Sequence, residues 1–116
     1  MTGTRTKERV QTLGEVFTAP AEVDLMLDML GPDASDPDVT ILEPSCGHGN
    51  FLVEILRRRS ACLDPVRALK NVIAVDICAD NVAEARERMF VVLMRELPDA
   101  MTEETQHRVR SILAKN

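Results

Sequence analysis

Ten consecutive residues, Glu43-Pro44-Ser45-Cys46-Gly47-His48-Gly49-Asn50-Phe51-Leu52, carry the densest chemistry in this sequence. Two glycines one residue apart let backbone amides come close to a bound group, as they do where a strand hands over to a helix. A dinucleotide or triphosphate is a poor match. The dinucleotide fingerprint wants a third glycine where Leu52 stands, and the Glu43 carboxylate repels phosphate. A second acid, Asp76, follows the apolar run Asn71-Val72-Ile73-Ala74-Val75. At the carboxyl end of a strand such a carboxylate can accept both hydroxyls of a ribose, and Ile77 beside it can lie against an adenine ring.

Two carboxylates near one ligand favour a cation. S-adenosylmethionine combines a nucleoside with an ammonium and a sulfonium and has no phosphate, so the electrostatics select it over NAD and ATP. Rival chemistries lack their parts. Cys46 and His48 are two candidate metal ligands without a further His or Cys cluster, so no metal site is expected. Ser45 lacks the G-x-S-x-G turn and His107 sits in a polar helical stretch, which argues against a serine hydrolase. Arg57-Arg58-Arg59 reads as a solvated helix end whose charge complements the helix dipole.

Periodicity and punctuation give the elements that must position these residues. Residues 1–13 lack an apolar period and read as a flexible N-terminal segment ahead of one domain over 14–116. Pro20 opens a helix over about 21–30, in which Val23, Met26, Leu27 and Leu30 share one stripe expected to be buried, and Gly31-Pro32 ends it. After a turn-rich linker from Asp33 to Asp38, Val39-Thr40-Ile41-Leu42 reads as a buried strand. Phe51, Leu52, Ile55 and Leu56 recur at helical spacing beyond the glycine loop. Residues 62–70 read as a connector to a second, central strand over 71–75. Val82, Ala85, Met89, Val92 and Leu93 mark a helix over about 79–96, and Thr102 with Glu103 and Glu104 opens a last one ending near Lys115. The order predicts an α/β fold, a short parallel sheet flanked by helices.

The 116 residues, 45% hydrophobic and 28% charged, suit one globular domain. A net charge of −5 gives little attraction for a phosphate backbone, and three phenylalanines without Trp or Tyr leave little material for stacking bases. No apolar run approaches the roughly 18 residues of a membrane helix, so a cytoplasmic location without membrane contact is expected. Cys46, Cys62 and Cys78 form no CxxC pair and read as reduced thiols. Two parallel strands leave open edges, so the chain is expected to form a homodimer or to dock on a partner subunit that completes the sheet.

From Leu13 to Met89 the sequence resembles the amino-methyltransferases that act on DNA in restriction–modification and phage systems. Gly14-Glu15-Val16-Phe17-Thr18-Ala19-Pro20 is similar to that family's segment before the first helix, and residues 43–52 to its glycine loop. Val75-Asp76-Ile77, followed by Asn81-Val82-Ala83-Glu84-Ala85-Arg86, is similar to its ribose-binding strand end and next helix. The F-T-A-P segment points to the DNA-modifying branch over relatives acting on RNA, protein or small molecules. The resemblance implies a partial Rossmann-like methyltransferase fold with S-adenosylmethionine held by Phe17, Thr18, Glu43, Ser45, Cys46, Gly47, Gly49, Phe51, Asp76 and Ile77. Thr18 inherits the cofactor's carboxylate, while Phe51, at a helix start, reads first as a core residue. The family's catalytic motif, Asp or Asn before Pro-Pro and an aromatic, has no counterpart here, so no catalytic residue is assigned. That motif accepts the target amine and stacks the flipped-out base. The implied function is the cofactor-binding portion of an adenine-specific (N6) DNA methyltransferase, which reaches DNA through a separate half. The alternative is a non-catalytic module that binds the cofactor or a partner.

Overall fold

The computed structural model describes residues 20–43, 49–76 and 78–116. In chain order these form α1 (Pro20–Met29), β1 (Ile41–Glu43), α2 (Asn50–Arg59), α3 (Pro65–Lys70), β2 (Val72–Ala74), α4 (Ala79–Glu96) and α5 (Glu103–Lys115). Short 3₁₀ turns occupy Gly31–Ala34 and Ser60–Cys62. β1 and β2 pair in parallel, Ile41 opposite Val72, Leu42 opposite Ile73 and Glu43 opposite Ala74. The architecture is therefore helix-rich α/β with a two-stranded parallel sheet. Among the described residues no helix is long and apolar enough to cross a membrane.

Local chemistry sets the boundaries. β1 starts two residues later than the apolar run suggests, because the Val39 amide donates to Asp36 O at 3.2 Å and the Asp38 amide to the Asp36 carboxylate at 2.9 Å, closing a turn. The stretch read as a plain connector contains α3. Asp64 caps it by accepting from the amides of Val66 and Arg67 at 3.0 and 3.2 Å, and Pro65 fills the first position, where no amide is needed. At α5 the Thr102 hydroxyl takes the same role, accepting from the Thr105 amide at 3.3 Å.

The helices cover one face of the sheet. Leu52, Ile55, Leu56, Leu69, Val72 and Leu93 are fully enclosed, with Val109 and Leu113 of α5 joining the same core. α2 packs chiefly on α4, α3 on α5 and α1 on α2. The other sheet face is bare: Leu42 is 61% exposed and Ile73 38% exposed. Neither strand is thus buried on both sides, contrary to the expectation from their apolar composition. That expectation assumed a second helical layer, and composition alone does not tell one covered face from two. At the far edge of β2, Asn116 stands in for a neighbouring strand. Its carbonyl accepts from the Ala74 amide at 3.0 Å, and its side-chain amide donates to Val72 O at 3.2 Å and Lys70 O at 3.3 Å.

Two further expectations need correction. Of the expected stripe Val23 and Leu27 are buried, whereas Met26 is 51% exposed and Leu30, just past the end of α1, 50% exposed. The helix rests on α2, which covers the line i, i+4 and not the wider stripe. The arginine run is also not uniformly solvated. Arg57 and Arg58 both pair with Glu54, and Arg58 also reaches Asp28 at 3.0 Å. The hydrogen bond from Arg57 is the main cause holding the Glu54 carboxyl down at about 2. Arg59 is fully buried, donating from Nε to Ala34 O at 3.3 Å and from Nη2 to Asp33 O at 3.1 Å. It ties the first 3₁₀ turn to the end of α2, and burial pulls its pKa down. Its Nη1 is enclosed without a hydrogen-bond partner.

A buried charge with an unmet donor adds little net stability, whereas its aliphatic stem fills space. Arg59→Met is therefore expected to change unfolding free energy by less than about 1 kcal/mol, and Arg59→Ala to cost about 2–4 kcal/mol through the cavity it leaves. Urea unfolding of the two variants checks this, and equal losses would show that the carbonyl hydrogen bonds, not the packing, dominate.

Candidate cofactor site

Parallel strands finish at the same side of a sheet, and the pairing register brings both acids there. Glu43 is the last residue of β1, its carbonyl accepting from the Val75 amide at 3.0 Å, and Asp76 follows Val75 directly. Both side chains are half-buried. The Asp76 carboxylate is held in place: Oδ1 accepts from the Cys78 amide at 2.8 Å and from the Asn81 side-chain amide at 3.4 Å. The first bond is the two-residue turn that aspartate forms with its own backbone. It ties the acid to the start of α4, whose amide dipoles favour a negative charge. The Cys78 side chain itself makes no capping hydrogen bond, so the preceding aspartate does this work.

Gly49 precedes α2 and is buried, with φ of 99°, a left-handed conformation that side-chain-bearing residues rarely adopt. A Cβ there would lie 3.1 Å from Ala85 Cβ and 3.2 Å from Ala85 Cα. The glycine is thus required by the approach of α4 as well as by the turn, and its role does not depend on a ligand. Next to it, Asn50 Oδ1 accepts from Arg88 Nη1 at 2.9 Å, a second link between the start of α2 and α4.

Of the residues expected to meet the cofactor, Glu43, Gly49, Phe51 and Asp76 lie in the described part of the chain. Phe17, Thr18, Ser45, Cys46, Gly47 and Ile77 lie outside the described residues. Phe51 is partly buried and packs against the core, as its place at a helix start suggests. Glu43 and Asp76 share one end of the sheet, and Gly49 begins the helix that follows β1. A cavity of about 230 Å³ opens beside the far edge of β2, with Asp76 among its walls together with Val72, Ala74, Met89, Arg86 and Leu113. Glu43, Gly49 and Phe51 do not line it. A smaller cavity of about 130 Å³ lies between α1, α2 and α4, bounded by Asp24, Glu54 and Arg88. Among the described residues no cluster of His, Cys, Asp and Glu could hold a metal ion.

Sequence reasoning placed Asn81 and Ala85 on the helix after Asp76 but gave neither a role at this end of the sheet. Asn81 is fully buried and reaches Asp76, and Ala85 is the small residue that Gly49 needs opposite it. The spacing Asp76-x-Cys78-x-x-Asn81 at a helix start carried the first signal, because polar side chains at such positions bond to one another and to the exposed amides.

Gly49→Ala forces both the backbone strain and the contact with Ala85, and is expected to destabilise the fold by about 2–3 kcal/mol. Ala85→Gly in the same chain relieves the contact and not the strain, so the double variant should lose less than the sum of the two single losses. Thermal unfolding of the three variants tests this, and strict additivity would contradict the close-packing account. No protein-family model, no curated protein and no solved structure matches the chain.

Proposed function

We propose that this chain binds S-adenosylmethionine and forms the cofactor-holding portion of an adenine-specific DNA methyltransferase, with a Rossmann-like sheet completed by further strands. The observation that supports this most is the pair of acids, Glu43 and Asp76, at the shared carboxyl end of two adjacent parallel strands. Ligands of open α/β sheets bind at that end. The donor set suits the cofactor in charge: Asp76, oriented by Cys78 and Asn81, would accept from the ribose hydroxyls, and Glu43 would face the cationic methionine part. When bound, S-adenosylmethionine supplies a methyl group made electrophilic by its sulfonium. The chain's own residues hold the nucleoside and exclude phosphate-bearing rivals through their charge.

Calorimetry with S-adenosylmethionine, S-adenosylhomocysteine, NAD and ATP tests the reading. The first two are expected to bind and the last two not, and Asp76→Ala should weaken binding by about 1.5–3 kcal/mol through loss of hydrogen bonds to a charged acceptor. Binding of ATP or NAD with equal affinity, or indifference to Asp76→Ala, would sink it.

A second reading, a non-catalytic module, is favoured by one feature. No Asp or Asn followed by Pro-Pro and an aromatic occurs in the 116 residues. On either reading this chain alone should incorporate no tritiated methyl into DNA. Addition of a chain that carries the missing motif separates the two: activity appears on the first and not on the second. Incorporation by this chain alone, above a no-protein control and lost in Asp76→Ala, would contradict both.

A further inference from the structure

The cavity beside β2 is graded from an apolar floor to a charged mouth. Leu52, Leu69, Val72, Met89 and Leu113 line it and are each at most 5% exposed, so its floor is the core itself. Val75, Arg86 and Lys115 line it too and are exposed, and these mark its mouth. Two ties hold the end of α5 across it. Arg86 Nε donates to Leu113 O at 2.9 Å and its Nη2 to Ala114 O at 3.2 Å, which joins α5 to α4. Asn116, bonded to Val72 and Ala74, joins the same end to β2. The walls are thus spaced by polar bonds, and a ligand need not open them.

A space of about 230 Å³ suits a compact body. An apolar cavity of roughly 150 Å³ holds a benzene ring, so this one admits a single ring with a short arm and no long chain. The thioether of Met89 in the wall favours the edge of an aromatic ring over an alkyl chain. Around the mouth the cations Arg86 and Lys115 outnumber the one acid, Asp76, so an anionic end is attracted and a cationic one repelled. We infer that this cavity is a second binding site, which takes a small carboxylate bearing one aromatic ring, with the ring on the apolar floor and the carboxylate at Lys115. Glu43, Gly49 and Phe51 do not line it, so it shares only Asp76 with the proposed cofactor site and does not rest on that reading.

The experiment titrates the full chain, without cofactor, with phenylpropionate and follows the side-chain methyl resonances. Ring-current shifts of the Met89 and Leu113 methyls that saturate in the millimolar range are expected. Phenylpropylamine, with the charge reversed, should bind about tenfold more weakly, and nonanoate, which has as many carbons in a flexible chain, about threefold more weakly. Lys115→Ala should weaken phenylpropionate about threefold, the scale of an exposed ion pair, and leave phenylpropanol unchanged. Because Lys115 is exposed, that variant keeps the fold. Val82→Phe, which fills the cavity from a half-buried place on α4, should abolish the shifts, with circular dichroism to follow its fold. Shifts centred away from the cavity, no saturable shift, equal binding of the amine or of nonanoate, an unchanged affinity in Lys115→Ala, or full binding by a folded Val82→Phe overturns the inference. A Val82→Phe chain that does not fold leaves the decision to Lys115→Ala and the amine, neither of which touches the core.

Discussion

The parallel register of β1 on β2 is the constraint on which the rest depends. Three residues in each strand pair, and because the strands run the same way their carboxyl ends coincide, so Glu43 and Asp76 arrive at one side of the sheet. Parallel strands cannot be joined by a tight turn, and the connection between them must cross over the sheet. α2, the second 3₁₀ turn and α3 make that crossing, and their apolar sides supply Leu52, Ile55, Leu56, Ala68 and Leu69 to the core. α4 then returns across the same face and closes on α2 at Gly49 and Ala85. The position of Gly49 is therefore fixed by the packing of two helices.

Several residues at this end of the sheet serve the scaffold and the proposed site together. Gly49 admits α4 while starting α2, and Asp76 anchors the start of α4 while offering a carboxylate at the strand end. Such double service weakens any argument from residue type alone, since the glycine and the aspartate each have a sufficient structural cause. What those causes leave unexplained is the sign of the site. Two acids stand at one edge, half-buried and close to a helix start, and on the proposed reading they disfavour phosphate and favour a cation. The proposed ligand follows from that sign and from the nucleoside-binding geometry of strand ends. The sheet face at Leu42 and Ile73 is exposed, while Asn116 satisfies ladder groups at the far edge of β2.

Long, strongly patterned elements were legible in the sequence, and their tertiary surroundings were not. α4 runs over the predicted residues because Val82, Ala85, Met89, Val92 and Leu93 repeat at helical spacing for about three turns. α3 was missed because six residues are too few for a period, although the Asp64-Pro65 cap announced it. The stripe of α1 was overdrawn: four apolar positions match a helical face, but one neighbouring helix covers only Val23 and Leu27. Arg59 could not be foreseen. A third arginine in a row resembles solvated charge, and only the return of the Asp33–Ala34 backbone over its guanidinium makes it a core residue. At the site, both acids were legible from their place after apolar runs. Asn81 was in view as part of the following helix, but its contact with Asp76 across five residues was not, since a helix start brings the two together.

The central claim is that both acidic strand ends, Glu43 as well as Asp76, receive the nucleoside cofactor, and not the depth of the apolar cavity beside β2, which Asp76 lines and Glu43 does not. Titration of the isotopically labelled chain with S-adenosylhomocysteine, followed residue by residue through backbone amide resonances, tests it most directly. The account predicts saturable shifts concentrated at Glu43, Gly49 and the stretch from Val75 to Asn81. Shifts centred on Met89 and Leu113 in the cavity wall, or none at concentrations that saturate known binders of this cofactor, would contradict it.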